Sequence, residues 1–135
     1  MVIDGFPYRI HPFSVGEAAS PFVPDERLIR PHLLKAVGLW TDIGLGDFGL
    51  YYIRDKQKHE VDFLVAKDRK PWFLVECKTS PKEPLSEPLT AFQMALSVPY
   101  AFQVAVHADK TDIDPTEYRD MAIKTSVLDL MKVLV

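Results

Sequence analysis

The sequence predicts an α/β fold, a mixed central sheet with flanking helices. Three observations carry this expectation. Between residues 50 and 78, three apolar stretches alternate with two short polar turns, the pattern of a strand meander. Apolar residues at helical spacing stand on either side of that meander. A further strand pattern follows the second helix, and then another strand and helix. The order helix, three-strand meander, helix, strand, then strand and helix implies a mixed sheet.

Residues 1–31 read as a proline-rich irregular arm, and 32–135 as the folded core. Five of the eleven prolines fall between Pro7 and Pro31. The stretch 6–12 holds only a short extended piece, and Pro21 and Pro24 prevent a long helix. From Arg30 to Trp40 the chain reads as helical, with Leu33, Leu34, Val37 and Trp40 on one face. Pro31 fits the first turn of that helix, where its missing N–H costs little, and Gly38 ends or weakens it. A longer alternative reaches back through Glu26 and Ile29. It puts Pro31 inside the helix, at a cost of about 3 kcal/mol.

Residues 44–49 form a loop. The three strands are Leu50–Arg54, His59–Ala66 and Trp72–Lys78, joined by polar turns at Asp55–Lys58 and Lys67–Pro71. A loop holding Pro81 and Pro84 leads into a helix over about 86–97, which Pro99 stops. Tyr100–Val106 is the next strand. Asp109, Asp112 and Asp114 lie in a solvated loop that lacks the glycine and terminal glutamate of an EF-hand. A short strand includes Ile123, and Ser126 with Asp129 three residues on starts a helix over Val127–Val135.

Composition narrows the function. The 135 residues suit one domain, and 47% apolar with 26% charged is an ordinary globular balance. Folding at this size hides roughly 65–70% of the unfolded surface, enough for one core. No apolar run approaches the ~20 residues of a membrane span, and the N-terminus lacks the basic and apolar regions of a signal peptide. One cysteine, Cys77, forms no internal disulfide, so a reducing cytoplasm is expected. The net charge of −3 gives no global pull toward nucleic acid. No phosphate-cradling P-loop is present, so neither ATP binding nor ATPase activity is expected.

Strand alternation gathers the chemistry. On the second strand Glu60, Asp62 and Leu64 should share a face; on the third, Trp72, Leu74, Glu76 and Lys78. In a suitable register Asp62, Glu76 and Lys78 meet near one end of the hairpin. Two carboxylates with a backbone carbonyl and waters suit Mg²⁺, and an ammonium beside them suits an activated water or phosphate oxygen. The plain alternative is a cross-strand salt bridge on a solvated face, which contributes only about 0–1 kcal/mol. Cys77 should face away from the acids as a small buried hydrophobe. Arg54, Lys56, Lys58, Lys67, Arg69 and Lys70 cluster at the turns, either as solvated charges or as a phosphate-contacting patch. Gln93 and Gln103 read as helix-surface and strand-edge residues, or as lining of the site. His11, His32, His59 and His107 show no ligand spacing.

Asp62, thirteen residues, then Glu76-Cys77-Lys78 on a hairpin behind a helix resembles the PD-(D/E)XK nuclease superfamily. More closely, the chain resembles the nuclease-like C-terminal domain of bacterial and archaeal AAA-type ATPases, a domain of uncharacterised function. His32–Val37, Trp40–Asp42, Gly44–Phe48, Leu50–Lys56, Glu60–Val65, Lys70–Lys78 and Tyr100–Val104 carry the likeness. It implies a restriction-endonuclease-like αβββαβ core. It also implies Mg²⁺ or Mn²⁺ held by Asp62, Glu76 and the Cys77 carbonyl, with Lys78 assisting phosphodiester attack. Glu26 falls where such sites take a glutamate from the first helix, and Glu60 and Gln93 are additional candidates. Arg54, Lys56, Lys58, Arg69 and Lys70 are the expected nucleic-acid contacts. The stretch Tyr8–Glu17 resembles the tail of the family's ATPase domain, joined here with the intervening part missing.

Two functions follow. The first is metal-dependent phosphodiester hydrolysis in DNA by this domain, or descent from enzymes that perform it. The second is a non-catalytic module that binds DNA or a partner, kept from a truncated ATPase-family protein. A homo-oligomer fits either reading, and a membrane fits neither.

Overall fold

Among the described residues, six strands follow one another in chain order across one sheet. They are β1 (Tyr8–Pro12), β2 (Phe48–Asp55), β3 (Glu60–Lys67), β4 (Lys70–Lys78), β5 (Tyr100–Ala105) and β6 (Ala122–Ser126). The helices are α1 (Glu26–Asp42), α2 (Glu87–Leu96) and α3 (Val127–Val133). The structure is a computed structural model and describes residues 8–12, 26–55, 59–105 and 114–133, with side chains from residue 29 onward except those of Asp55 and Val133. Lys56, Lys58, Val106, His107, Asp109 and Asp112 lie outside the described residues.

Strands β1 to β4 pair antiparallel, and β4, β5 and β6 pair parallel. The mixed α/β architecture expected from the sequence is therefore the one that forms. A two-residue turn joins β3 to β4, with Asp68 at φ 51° and Arg69 at φ 68°, as the twist of such a hairpin demands. Parallel β4 and β5 need a long crossover instead, and α2 supplies it. Ser86 caps α2, its hydroxyl accepting from the Leu89 N–H at 3.4 Å, and Ser97 ends it in the left-handed conformation.

Each face of the sheet buries its own apolar cluster. Leu33 and Val37 of α1 and Leu130 of α3 cover Phe63, Val75 and Val104 on one face. Leu89 and Phe92 of α2 cover Ile53, Val61, Leu64 and Leu74 on the other. The predicted box at the start of α3 is present: the Ser126 hydroxyl donates to Asp129 at 2.8 Å and accepts the Asp129 N–H at 3.1 Å. Asp114 caps a 3-10 turn over Pro115–Glu117 by accepting from the Thr116 N–H and hydroxyl, a structural role.

Of the two helices the sequence allowed, the longer one forms. α1 begins at Glu26 and passes through Pro31, and Gly38 does not end it. Ile29, one turn before the core-facing Leu33, is fully buried. Burying an Ile contributes about 1.5–3 kcal/mol, which offsets most of the roughly 3 kcal/mol that an internal proline costs. The proline-rich N-terminal stretch also adds the edge strand β1, with Pro12 at its end, where edge position tolerates the missing N–H.

Two irregularities break the simple alternation. Tyr51 faces Leu64 but Ile53 faces Val61, so Tyr52 alone stands against Asp62 and Phe63. This bulge puts Val61 in the same cluster as Leu64, where strict alternation would separate them. Similarly Val65 faces Phe73 while Ala66 faces Pro71, leaving Trp72 as the extra residue on β4. Trp72 therefore packs on the α1 side against Trp40, Phe48 and Phe73, and does not share a face with Leu74 and Glu76.

Pro31→Ala restores a helix hydrogen bond without touching the core. It is expected to raise unfolding free energy by about 1–3 kcal/mol in urea titrations. No gain would mean that the helix does not continue through position 31.

Candidate functional site

The pairing of β3 with β4 closes at Phe63 opposite Val75. Beyond that point the bulge at Asp62 and Phe63 turns β3 aside, while β4 runs on beside β5 to Lys78. The Cys77 N–H does not go unpaired. It donates to Asp62 Oδ2 at 2.8 Å, a buried bond that substitutes a side chain for the missing ladder. The bond sets the Asp62 carboxylate beside the residue next to Glu76. Both acids are buried, 6% and 8% exposed.

Glu76 lies on the α2 face, since its neighbours Val75 and Cys77 belong to the opposite cluster and Leu74 to this one. Lys78 Nζ stands 3.7 Å from Glu76 Oε1. Of the three residues expected to meet, Glu76 and Lys78 are in contact, and Asp62 is tied to the N–H of Cys77, the residue between them in sequence. Burial pushes the Glu76 carboxyl above its ordinary range. A hydrogen bond donated by the Ser86 hydroxyl and the Lys78 ammonium oppose that rise, and the Glu60 carboxylate adds to it. Glu76 Oε2 is buried with no hydrogen-bond partner among the described residues. Such an atom normally finds a donor or an ion.

Sequence reasoning missed Ser86 and misplaced Gln103. Gln103 is no edge residue: it lies on β5 between β4 and β6, in register with Glu76, and is 3% exposed. Its side chain ties down the segment before α2. Oε1 accepts the Ser86 N–H at 2.7 Å, and Nε2 donates to the carbonyls of Pro84 at 3.0 Å and Glu83 at 3.4 Å. The clamp delivers Ser86 to Glu76. The run Ser86-Glu87-Pro88 is an N-cap signature that could have located the helix start, but no local signal pairs it with Gln103.

The remaining candidates scatter. Glu60 pairs with Arg54 at 3.2 Å across β2 and β3. Arg69 and Lys70 sit at the β3–β4 turn, at the far end of β4 from Glu76. Gln93 is buried on α2, where a surface position was expected, and its Nε2 lacks a hydrogen-bond partner among the described residues. Cys77 faces the α1-side core, as expected. Glu26 opens α1, and its side chain lies outside the described residues. Among the described residues no group of three or more His, Cys, Asp or Glu gathers as a metal would need. Asp62 and Glu76, with the unsatisfied Glu76 Oε2, are the donors that fit a hard cation.

Glu76 holds its proton more tightly in the folded chain than in the unfolded one, whose value is near 4.5. Stability therefore falls as pH rises from that range through the raised folded value. Glu76→Gln, which cannot ionise, is expected to melt higher than the wild type at about pH 7, with the difference shrinking in acid. Melting curves across the acid-to-neutral range check this; a lower melting point at neutral pH would contradict it.

No helix among the described residues is long and apolar enough to cross a membrane. No curated protein and no solved structure matches the chain. Residues 34–126, spanning β2 to β6 and most of α1, match a family described as a domain of unknown function, DUF4143, and the chain belongs to that family.

Proposed function

We propose that the chain is a divalent-metal-dependent nuclease-like domain that hydrolyses phosphodiester bonds in DNA, akin to the C-terminal domain of AAA-type ATPases. The observation that supports it most is the pair of buried carboxylates, Asp62 and Glu76, with Lys78 against Glu76 and one Glu76 oxygen without a hydrogen-bond partner among the described residues. Sheet interiors do not gather two acids without a compensating ligand or donor. The Cys77 N–H compensates Asp62, and Lys78 and Ser86 compensate Glu76 only in part.

Asp62, Glu76 and the Cys77 carbonyl would hold Mg²⁺ or Mn²⁺. When bound, such an ion supplies Lewis acidity and a water of lowered pKa. The chain's own residues do the rest. The Cys77 N–H orients Asp62, and the Ser86 hydroxyl orients Glu76. The Lys78 ammonium, about a third exposed, faces the scissile phosphate and offsets the charge that grows on its oxygens. A water oxygen bonds phosphorus and gives a proton to solvent, one phosphorus–oxygen bond to sugar breaks, and the departing oxygen takes a proton from solvent. No ATP takes part. A cytoplasmic setting fits the lone reduced cysteine.

A second reading, DNA or partner binding without cleavage, is favoured by one observation. Only two acids meet at the site among the described residues, while Glu60 is drawn off by Arg54.

Titration calorimetry with Mn²⁺ tests the metal site. Asp62→Ala is expected to weaken binding by at least about tenfold to a hundredfold, as loss of metal-site groups does. Unchanged binding would remove the site. Incubation with single-stranded, duplex and branched DNA then separates the two readings. Metal binding without cleavage of any of the three leaves the non-catalytic module.

A further inference from the structure

The parallel half of the sheet lines up three polar residues in a row. Glu76 on β4 is in register with Gln103 on β5, and Gln103 with Lys124 on β6. All three lie on the α2 face. Leu74 and Ala101 belong to the α2-side cluster, and Ala122 packs against it, each two residues before its member of the row. Neighbouring strands lie about 4.8 Å apart, so the Lys124 backbone stands roughly 10 Å from that of Glu76.

The middle of this row is spent. Gln103 uses both ends of its amide on the 83–86 segment. Lys124 is different: it is exposed and makes no ion pair among the described residues. Beside it a cleft of about 90 Å³ opens between the exit of β4 and the carboxyl ends of β5 and β6, lined by Ser80, Pro81, Gln103, Ala105, Lys124 and Ser126. That is room enough for one phosphate group. Crevices at the carboxyl ends of parallel strands are where α/β sheets place ligands.

Among the described residues, the basic side chains singled out from the turns are engaged or distant. Arg54 is taken by Glu60, and Arg69 and Lys70 stand at the opposite end. Lys78 is held by Glu76. Lys124 is in register with the acid and makes no ion pair among the described residues.

We propose that Lys124 and the cleft beside it bind a DNA backbone phosphate neighbouring the one presented to Glu76 and Lys78. The strand would then cross the sheet along the Glu76–Gln103–Lys124 row, over the segment that Gln103 clamps. This inference rests on the proposed nuclease-like reading for the identity of the ligand, and on strand register for its position.

Fluorescence anisotropy with a labelled single-stranded DNA oligonucleotide tests it, on the full chain and without divalent metal. Lys124→Ala is expected to weaken binding by several-fold to about tenfold. The slope of log affinity against log salt should fall by about one, as loss of one phosphate contact requires. Lys35→Ala, an exposed lysine on α1 over the opposite face, serves as the control and should leave both quantities unchanged. Position 124 is exposed, so melting curves should show both variants folded. Mn²⁺ affinity of Lys124→Ala should equal that of the wild type. The proposal is overturned if Lys124→Ala binds like the wild type, if Lys35→Ala loses as much, or if the wild type binds no DNA. Loss at Lys124 in a chain that binds no Mn²⁺ upholds the phosphate site and removes the metal reading. Mn²⁺ binding with no effect at Lys124 does the reverse.

Discussion

The bond from the Cys77 N–H to Asp62 is the contact on which the site depends. At this point the antiparallel half of the sheet gives way to the parallel half. β4 must leave β3 and continue beside β5, and the bulge at Asp62 and Phe63 lets β3 turn aside. A backbone N–H buried at such a divergence costs about 1–3 kcal/mol if nothing accepts it. Asp62 accepts it, and so an acid is fixed at the mouth of the two strands. The same carboxylate that closes a structural gap is thereby placed where chemistry can use it.

Around that bond the site is braced from the other side by Gln103. Its three hydrogen bonds hold a proline-containing segment that has little secondary structure of its own. The brace carries Ser86 to two tasks, capping α2 and donating to Glu76. A buried carboxylate with a raised proton affinity and an unsatisfied oxygen is costly to the fold. Residues that strain stability in this way are found at functional sites more often than elsewhere. Glu76 Oε2 and Gln93 Nε2 find no partner among the described residues, whereas Asp62 and Gln103 have hydrogen bonds nearby.

The split of the positive charge follows from hairpin geometry. Among the described residues, Arg54 and the group Lys67, Arg69 and Lys70 fall at opposite ends of strands eight or nine residues long. A patch that looks continuous along the chain is therefore divided in space. Parallel register does the reverse for Glu76, Gln103 and Lys124, which lie far apart in sequence and side by side on one face.

Periodicity by itself determined the α/β class, the meander, the helix after it and the shared face of Glu76 and Lys78. Those depend on local spacing: alternation along a strand, turns short enough to force a hairpin, and helical repeats of apolar residues. The Ser126–Asp129 box and the inward Cys77 were legible for the same reason. Tertiary structure alone decided the passage of α1 through Pro31, because only the core can reward burial of Ile29 enough to offset a broken helix bond. It alone decided the bulges at Asp62 and Trp72, since register depends on the partner strand and not on the strand's own pattern. And it alone set Gln103 in the middle of the sheet and Lys124 in line with Glu76, because parallel strands meet through a crossover whose register no local spacing encodes.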